Sequence, residues 1–291
     1  MTVNKETTLS RTKLPAGVDA GMFNSGIIRV AHPCTNPTAP YQKPDEIPNY
    51  LSLLDHSRRM KKSEYEKALE FEEDRLNTLV RQMQELRLSL VVTFQGRDAA
   101  GKSGATKRII TGLDFDMKTL AVVPVGPPND EERAQPYLLR FFERDRMPGF
   151  GQVRIFDRGW NEELLVVPVM KLASKEHVQA AYGQINTMEW MMAQSGTICV
   201  KIWLEITKKV QDERFKERKE DKDWKYTEAD ATAREHWDGY TKYCNKMLHL
   251  TGTEGAPWYV LPSNCKRFSR VHVLRIICNA VEQRIAHAKK R

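Results

Sequence analysis

Apolar and polar residues are arranged in blocks along most of the chain, and the period of each block predicts an element. From Ser57 to Leu88 a highly charged segment places Leu69, Leu76, Leu79, Val80, Met83 and Leu86 on one face at 3.6-residue spacing, the pattern of a long amphipathic helix. Five apolar runs of strand length follow, at Leu90 to Phe94, Thr119 to Val123, Val153 to Phe156, Ile198 to Leu204 and Trp258 to Leu261. Helix-like segments separate them. Strands alternating with helices predict an α/β protein with a parallel sheet of about five strands covered on both faces, with its chemistry in the loops that leave the strands' carboxyl ends.

Two segments depart from this alternation. Residues 1–56 carry Pro15, Pro33, Pro37, Pro40, Pro44 and Pro48 without a periodic apolar pattern, so they are expected to form an arm beside a domain spanning 57–291. Thr207 to Asp230 holds eight basic and eight acidic residues, which predicts a solvated helical hairpin or lid. No internal repeat is visible. A chain of 291 residues with 41% hydrophobic composition can bury a core without disulfides or a structural metal. The longest aliphatic run, Leu88 to Phe94, is interrupted by Ser89 and Thr93, so no membrane crossing is expected. The start, MTVNKETTLS, lacks the pattern of a secretory signal, and a cytoplasmic address is the expectation. Cys34, Cys199, Cys244, Cys265 and Cys278 form an odd set without metal-ligand spacing and are expected to be reduced. The net charge of +8 suits a polyanionic partner, yet from Asn264 to Arg291 eight Lys or Arg face only Glu282, a surplus that a solvated helix and tail would also carry.

Candidate chemistry begins directly after the first apolar run. Gly96, Arg97, Asp98, Ala99, Ala100, Gly101, Lys102 and Ser103 match GxxxxGK[ST], and Gly104 opens a helical segment. In such a loop the backbone N–H groups curl around phosphate oxygens, the helix dipole favours negative charge, Lys102 reaches the β/γ-phosphate region and Ser103 can bind Mg²⁺. A second landmark is the strand end Val153 to Phe156 followed by Asp157 and Arg158, where a P-loop nucleotidase carries the acid that holds Mg²⁺. Taken alone, an acid there would be a helix cap. In the charged segment Arg214 and Arg218 stand at i and i+4 and can point together toward phosphates, with Lys219, Lys222 and Lys225 following. Pairing with Asp212, Glu217, Glu220 and Asp221 on a surface helix is the competing reading.

These residues resemble the type-2 polyphosphate kinase family, related in fold to thymidylate kinase. GRDAAGKSG with Lys107-Arg108-Ile109 is similar to its phosphate loop, Glu131, Glu132, Tyr137 and Arg140 to its next loop, and FDRGWNEE to its second strand end. The segment with Arg214, Phe215, Arg218, Trp224, Lys225 and Asp230 resembles its lid, and Trp237-Asp238-Gly239-Tyr240, Ala256-Pro257-Trp258 and Asn264-Cys265-Lys266 follow in its order. The resemblance implies a three-layer α/β/α P-loop kinase fold with a helical lid at about 207–230. It also implies phosphoryl transfer between inorganic polyphosphate and a nucleoside mono- or diphosphate, with Mg²⁺ (Mn²⁺ as an alternative), in a homo-oligomer such as a dimer or tetramer. Asp98, Lys102, Asp157 and Arg158 then take catalytic positions, with Asp98, Ser103 and Asp157 toward the metal. Gly96, Arg97, Ala99, Ala100, Gly101, Ser103, Gly104, Arg140, Arg214, Arg218 and Lys225 line the phosphates.

Nucleic acid is not an expected partner. The rivals are an ATP-dependent kinase of the same fold and a non-catalytic nucleotide- or polyphosphate-binding protein. Two departures from the family pattern stand out: Ser103 replaces a usual Gly, and Asn161-Glu162-Glu163 replaces an aromatic-Asn-Arg run. Glu162 and Glu163 are expected to turn away from the phosphates, since carboxylates facing a polyanion would repel it.

Overall fold

The computed structural model describes residues 15, 17–19, 22, 25–33, 46–113, 119–143, 146–221 and 234–290. Its strands are β1 (Ile28–Val30), β2 (Ser89–Gly96), β3 (Leu120–Pro124), β4 (Val153–Asp157), β5 (Thr197–Glu205) and β6 (Trp258–Pro262). The helices are α1 (Lys62–Glu85), α2 (Lys102–Gly112), α3 (Asp130–Arg133), α4 (Val166–Met170), α5 (Lys175–Gln194), α6 (Lys208–Asp221), α7 (Trp237–Thr251) and α8 (Lys266–Ala288). None of the described helices is long and apolar enough to cross a membrane.

The sheet runs β1-β6-β5-β2-β4-β3. β2 to β6 are mutually parallel, as the alternation predicts. β1 is an additional strand, antiparallel to β6, with Ile28 opposite Val260 and Val30 opposite Trp258. It lies inside the segment expected to be an arm. Three residues between turns are too short to show a period, so only the pairing partner reveals the strand. The turn Tyr50–Leu53 also docks: Leu51 N–H donates to Asn245 Oδ1 at 3.3 Å, and Tyr50 Oη lies 2.8 Å from His249 Nδ1.

Successive strand residues point to opposite faces, and the faces differ in chemistry. Leu90, Val92 and Phe94 of β2 join Ile202 and Leu204 of β5 beneath Leu76, Val80 and Met83 of α1 and Ile277 of α8. Fully burying each such side chain contributes roughly 1.5–3 kcal/mol. The other face meets α5 and α7 through Phe156, Trp160, Tyr182, Trp203 and Trp258. Cys199, Cys244 and Cys278 are buried free thiols and Cys265 is half-buried, whereas Cys34 lies outside the described residues.

Candidate active site

β2 is buried along its length until Gly96. At Gly96 φ is +145°, and a Cβ there would stand 2.4 Å from the Leu204 carbonyl oxygen, so only glycine lets the strand end against β5. The loop then folds on itself: Arg97 N–H donates to Leu204 O at 3.2 Å and Ala100 N–H to Arg97 O at 3.1 Å. Ala99 (φ +61°) and Gly101 (φ +108°) are left-handed, and they turn the chain into α2. No side chain caps α2 among the described residues. Its first-turn N–H groups are therefore available to an anion at the positive end of the helix dipole.

Lys102 Nζ donates to Gly96 O at 2.8 Å and Arg97 O at 3.3 Å and lies 3.9 Å from Asp98 Oδ1. The same carboxylate oxygen lies 3.6 Å from Arg158 Nη2. Arg158 follows β4 in a left-handed conformation (φ +66°), anchored by its N–H to Phe94 O at 3.1 Å. These groups open onto a cavity of about 390 Å³. Its polar lining comes from Gln95, Asp98, Lys102, Arg158 and Glu162. Leu165, Val166, Met170 and Trp203 supply its apolar lining, and Gln211 and Tyr240 also line it.

Several predicted site residues direct their side chains elsewhere or lie outside the cavity lining. Arg97 is 6% exposed, and its side chain turns behind the loop: Nε donates to Glu205 at 3.0 Å, Nη1 to Trp237 O at 3.2 Å and Nη2 to Thr241 Oγ1 at 2.6 Å. Its guanidinium is held by the scaffold, while Arg97, like Gly96, still contributes to the lining of the cavity. Arg214 is 7% exposed and donates to the carbonyls of Ala99 (2.8 Å), Ser263 (2.8 Å) and Asn264 (3.0 Å). It clamps the back of the loop and does not share an open phosphate-facing surface with Arg218. The half-exposed Arg218 guanidinium sits 5.8 Å from the Phe215 ring centroid. Arg140 is committed to Glu132 at 3.3 Å and to Gly126 O at 2.9 Å. Asp157 is half-buried at its strand end and does not line the cavity. Ser103 is exposed at the start of α2, and Gly104 lies under Arg270, whose Nη2 would be 2.9 Å from a Cβ there. Lys222 and Lys225 fall outside the described residues, so the expected lid is described only to residue 221.

The two acids at 162 and 163 part company. Glu163 turns outward and pairs with His177 Nε2 at 2.6 Å, as expected. Glu162 does the opposite and enters the cavity. In the 3-10 turn Trp160–Leu164, neighbouring side chains diverge by about 120°, so one faces in when the other faces out. The Gln95 amide, oriented to satisfy both neighbours, donates to Glu162 Oε1 at 2.5 Å and accepts from Gly159 N–H at 3.2 Å. Burial pushes the Glu162 carboxyl above its ordinary range, with Arg158 and Lys102 pulling the other way. Burial, then Glu162 and Asp98, push Tyr240 up to about 12. Gln95, Glu162, Leu165, Val166, Met170, Trp203, Gln211 and Tyr240 are the cavity residues absent from the predicted site. A Gln at the end of an apolar strand, next to the loop, was the available signal for the first.

A mostly parallel sheet whose inner strand ends in a Gly-rich loop that leads into the N-terminus of a helix defines a P-loop kinase type of α/β protein. The family model for polyphosphate kinase 2 (PPK2) matches residues 59–289, and the chain belongs to that family. It is 42% identical over 234 residues to a polyphosphate:AMP phosphotransferase of Pseudomonas aeruginosa, covering 80% of this chain and 46% of that protein. A polyphosphate:AMP phosphotransferase of Pseudomonas syringae pv. tomato is 39% identical over 243 residues, covering 83% of this chain and 48% of the relative. The chain thus spans about half the length of these relatives. The crystal structure of polyphosphate kinase 2 from Arthrobacter aurescens TC1 superposes with a TM-score of 0.76 at 26% identity, covering 87% of this chain and 91% of that one.

Proposed function

We propose that the protein transfers a phosphoryl group between inorganic polyphosphate and a nucleoside mono- or diphosphate. The observation that carries this reading is that Lys102, the first residue of the uncapped helix α2, and Arg158 line one cavity together with apolar side chains. Leu165, Val166, Met170 and Trp203 suit a nucleoside. A chain of phosphates suits the cations at the start of α8 and on α6. There burial, followed by Arg214, Arg270 and Arg218, lowers the pKa of Lys266. The relatives named above join polyphosphate with AMP, which agrees with this pairing.

In this mechanism the N–H groups of the loop and α2 hold the transferring phosphate in line, and Lys102 and Arg158 neutralise the charge that develops on it. Asp98, between these two cations at 3.9 and 3.6 Å, keeps both aimed at the cavity. The apolar lining limits water, which would otherwise compete as acceptor. Among the described residues no group of three His, Cys, Asp or Glu could cage a metal. Mg²⁺ binds through one or two carboxylates together with substrate phosphates and water. Asp98, the carboxylate that lines the cavity, would hold it together with substrate phosphates, whereas Ser103 and Asp157, the other two metal positions that the family pattern implies, do not line that cavity; Mn²⁺ is the alternative cation. When bound, it would screen the charge shared by neighbouring phosphates. A cytoplasmic address and a homo-oligomeric assembly are part of the same proposal.

Incubation of the purified protein with polyphosphate, Mg²⁺ and a panel of nucleoside mono- and diphosphates, followed by product separation, tests the proposal. Phosphorylated product from polyphosphate is expected. Product only when ATP is the donor would replace this reading by an ATP-dependent kinase, and no product with any donor would leave a binding protein.

A further inference from the structure

The segment that brings Arg158 and Glu162 to the cavity is held from behind by α5 at two depths. Near the surface, His177 at the start of α5 meets Glu163. Farther along, Glu189 is fully buried at 0% exposure. Its Oε1 accepts from Trp160 Nε1 at 2.8 Å, and its Oε2 accepts from Lys201 Nζ at 2.5 Å. Lys201, 1% exposed, also donates to Thr251 O at 2.5 Å. Trp160 itself is packed edge-on against Phe141 and Phe156, with centroids 5.9 and 5.3 Å away. In sequence it stands midway between Arg158 and Glu162.

A buried ion pair is a poor way to gain stability, because replacing both partners by apolar groups is often neutral or better. Here the two carboxylate oxygens serve different neighbours, one of which is the indole of the cavity-forming segment. We infer that Glu189 is a positioning residue of the phosphate site: through Trp160 it sets where Arg158 and Glu162 stand, and Lys201 holds Glu189 aimed at the indole. Burial drives the carboxyl of Glu189 up and the ammonium of Lys201 down, each opposed by the other. The pair therefore acts as a unit, and removing one partner alone would report mainly the stranded charge.

The test uses the joint E189L/K201M variant, Trp160→Phe, which removes the indole N–H together with part of the buried ring, and E189Q/K201M, in which a neutral amide oxygen still accepts from the intact Trp160 and so separates the hydrogen bond from ring volume. Amide exchange over residues 157–164, compared with 89–96, reads the segment's position independently of function. Titration with tripolyphosphate and the separation of kcat from the polyphosphate KM read the site, and only these rest on the proposed reaction. E189L/K201M and Trp160→Phe should each raise exchange over 157–164 by about tenfold while leaving 89–96 unchanged. They should weaken tripolyphosphate binding and raise the KM by about tenfold, and E189Q/K201M should restore both. If E189L/K201M does not fold, Trp160→Phe carries the test. Wild-type exchange in Trp160→Phe, or an E189Q/K201M protein as loose as E189L/K201M, would overturn the inference. Wild-type protein that ignores tripolyphosphate would count against the proposed function instead, with exchange still deciding the role of Glu189.

Discussion

The two faces of the sheet are built by different rules. Beneath α1, α2 and α8 the interior is mostly aliphatic, with Phe94 and Tyr259 in it and the buried Glu72 paired with Arg75 and Arg275 between α1 and α8. Most of its apolar positions would accept any well-shaped apolar side chain. On the α5 and α7 side, Lys201, Trp203 and Glu205 of β5 alternate onto one face, and the ion pairs Lys201–Glu189 and Arg97–Glu205 lie among aromatic rings. Each indole N–H there has its own acceptor: Trp160 on Glu189, Trp203 on Glu205 at 2.6 Å and Trp258 on Thr251 at 2.9 Å. Apolar contact is non-directional, whereas such bonds are satisfied in one geometry only. The first face supplies stability. The second fixes orientation, and it is the one behind Arg97 and Arg158.

The sharpest way to break this contrast is Arg97→Met, which strands Glu205 and should cost about 3–5 kcal/mol in urea unfolding, with part recovered when Glu205→Leu is added. A single variant within about 1 kcal/mol of wild type would erase the distinction. Next comes Lys102→Met, which should leave the unfolding curve in place while turnover falls by about a hundredfold or more, roughly 2.7 kcal/mol of barrier. On the aliphatic face Ile277→Val should cost about 0.5–1.5 kcal/mol and leave the polyphosphate KM unchanged.

A smaller effect sharpens the comparison at the cavity itself. Because the Glu162 carboxyl is raised above 4.5 by burial, the folded protein holds more protons than the unfolded one above that pH, and stability falls as pH rises. Glu162→Gln should remove that fall, so melting curves would match wild type near about pH 4 and lie above it at neutral pH. A constant offset at all pH values would speak against it. Smallest of all, His177→Ala loses a partly exposed pair and should change stability by about 0–1 kcal/mol.

How much of this was legible depended on whether the signal was local. The strand, Gly-rich loop and helix from Leu90 to Gly112 could be read because every part lies within a few turns of chain. The spacing of Arg214 and Arg218 predicted a shared helical face, but not that the carbonyls of Ala99, Ser263 and Asn264 would occupy Arg214. Motif position marked Arg97 as a phosphate ligand, because Glu205, its partner on a neighbouring strand, is 108 residues away. Glu162 and Glu163 look alike in sequence and differ only by rotation about a short turn. One clue was present and unused: Lys201 and Glu205, two-residue periodic in an otherwise apolar strand, are charges that a buried sheet must pair.

β1 bears on how the domain could be produced. A chain shortened to begin at residue 57, where the amphipathic helix pattern starts, would lack Ile28–Val30 and leave one edge of β6 without its hydrogen-bonding partner. β6 is buried at every position, so the bared edge would be apolar as well as unpaired, the combination that recruits strands from other molecules. Such a protein would retain the whole loop from Gly96 to Ser103 and still be expected to collect in inclusion bodies. Expression that starts ahead of Ile28 should yield monodisperse material.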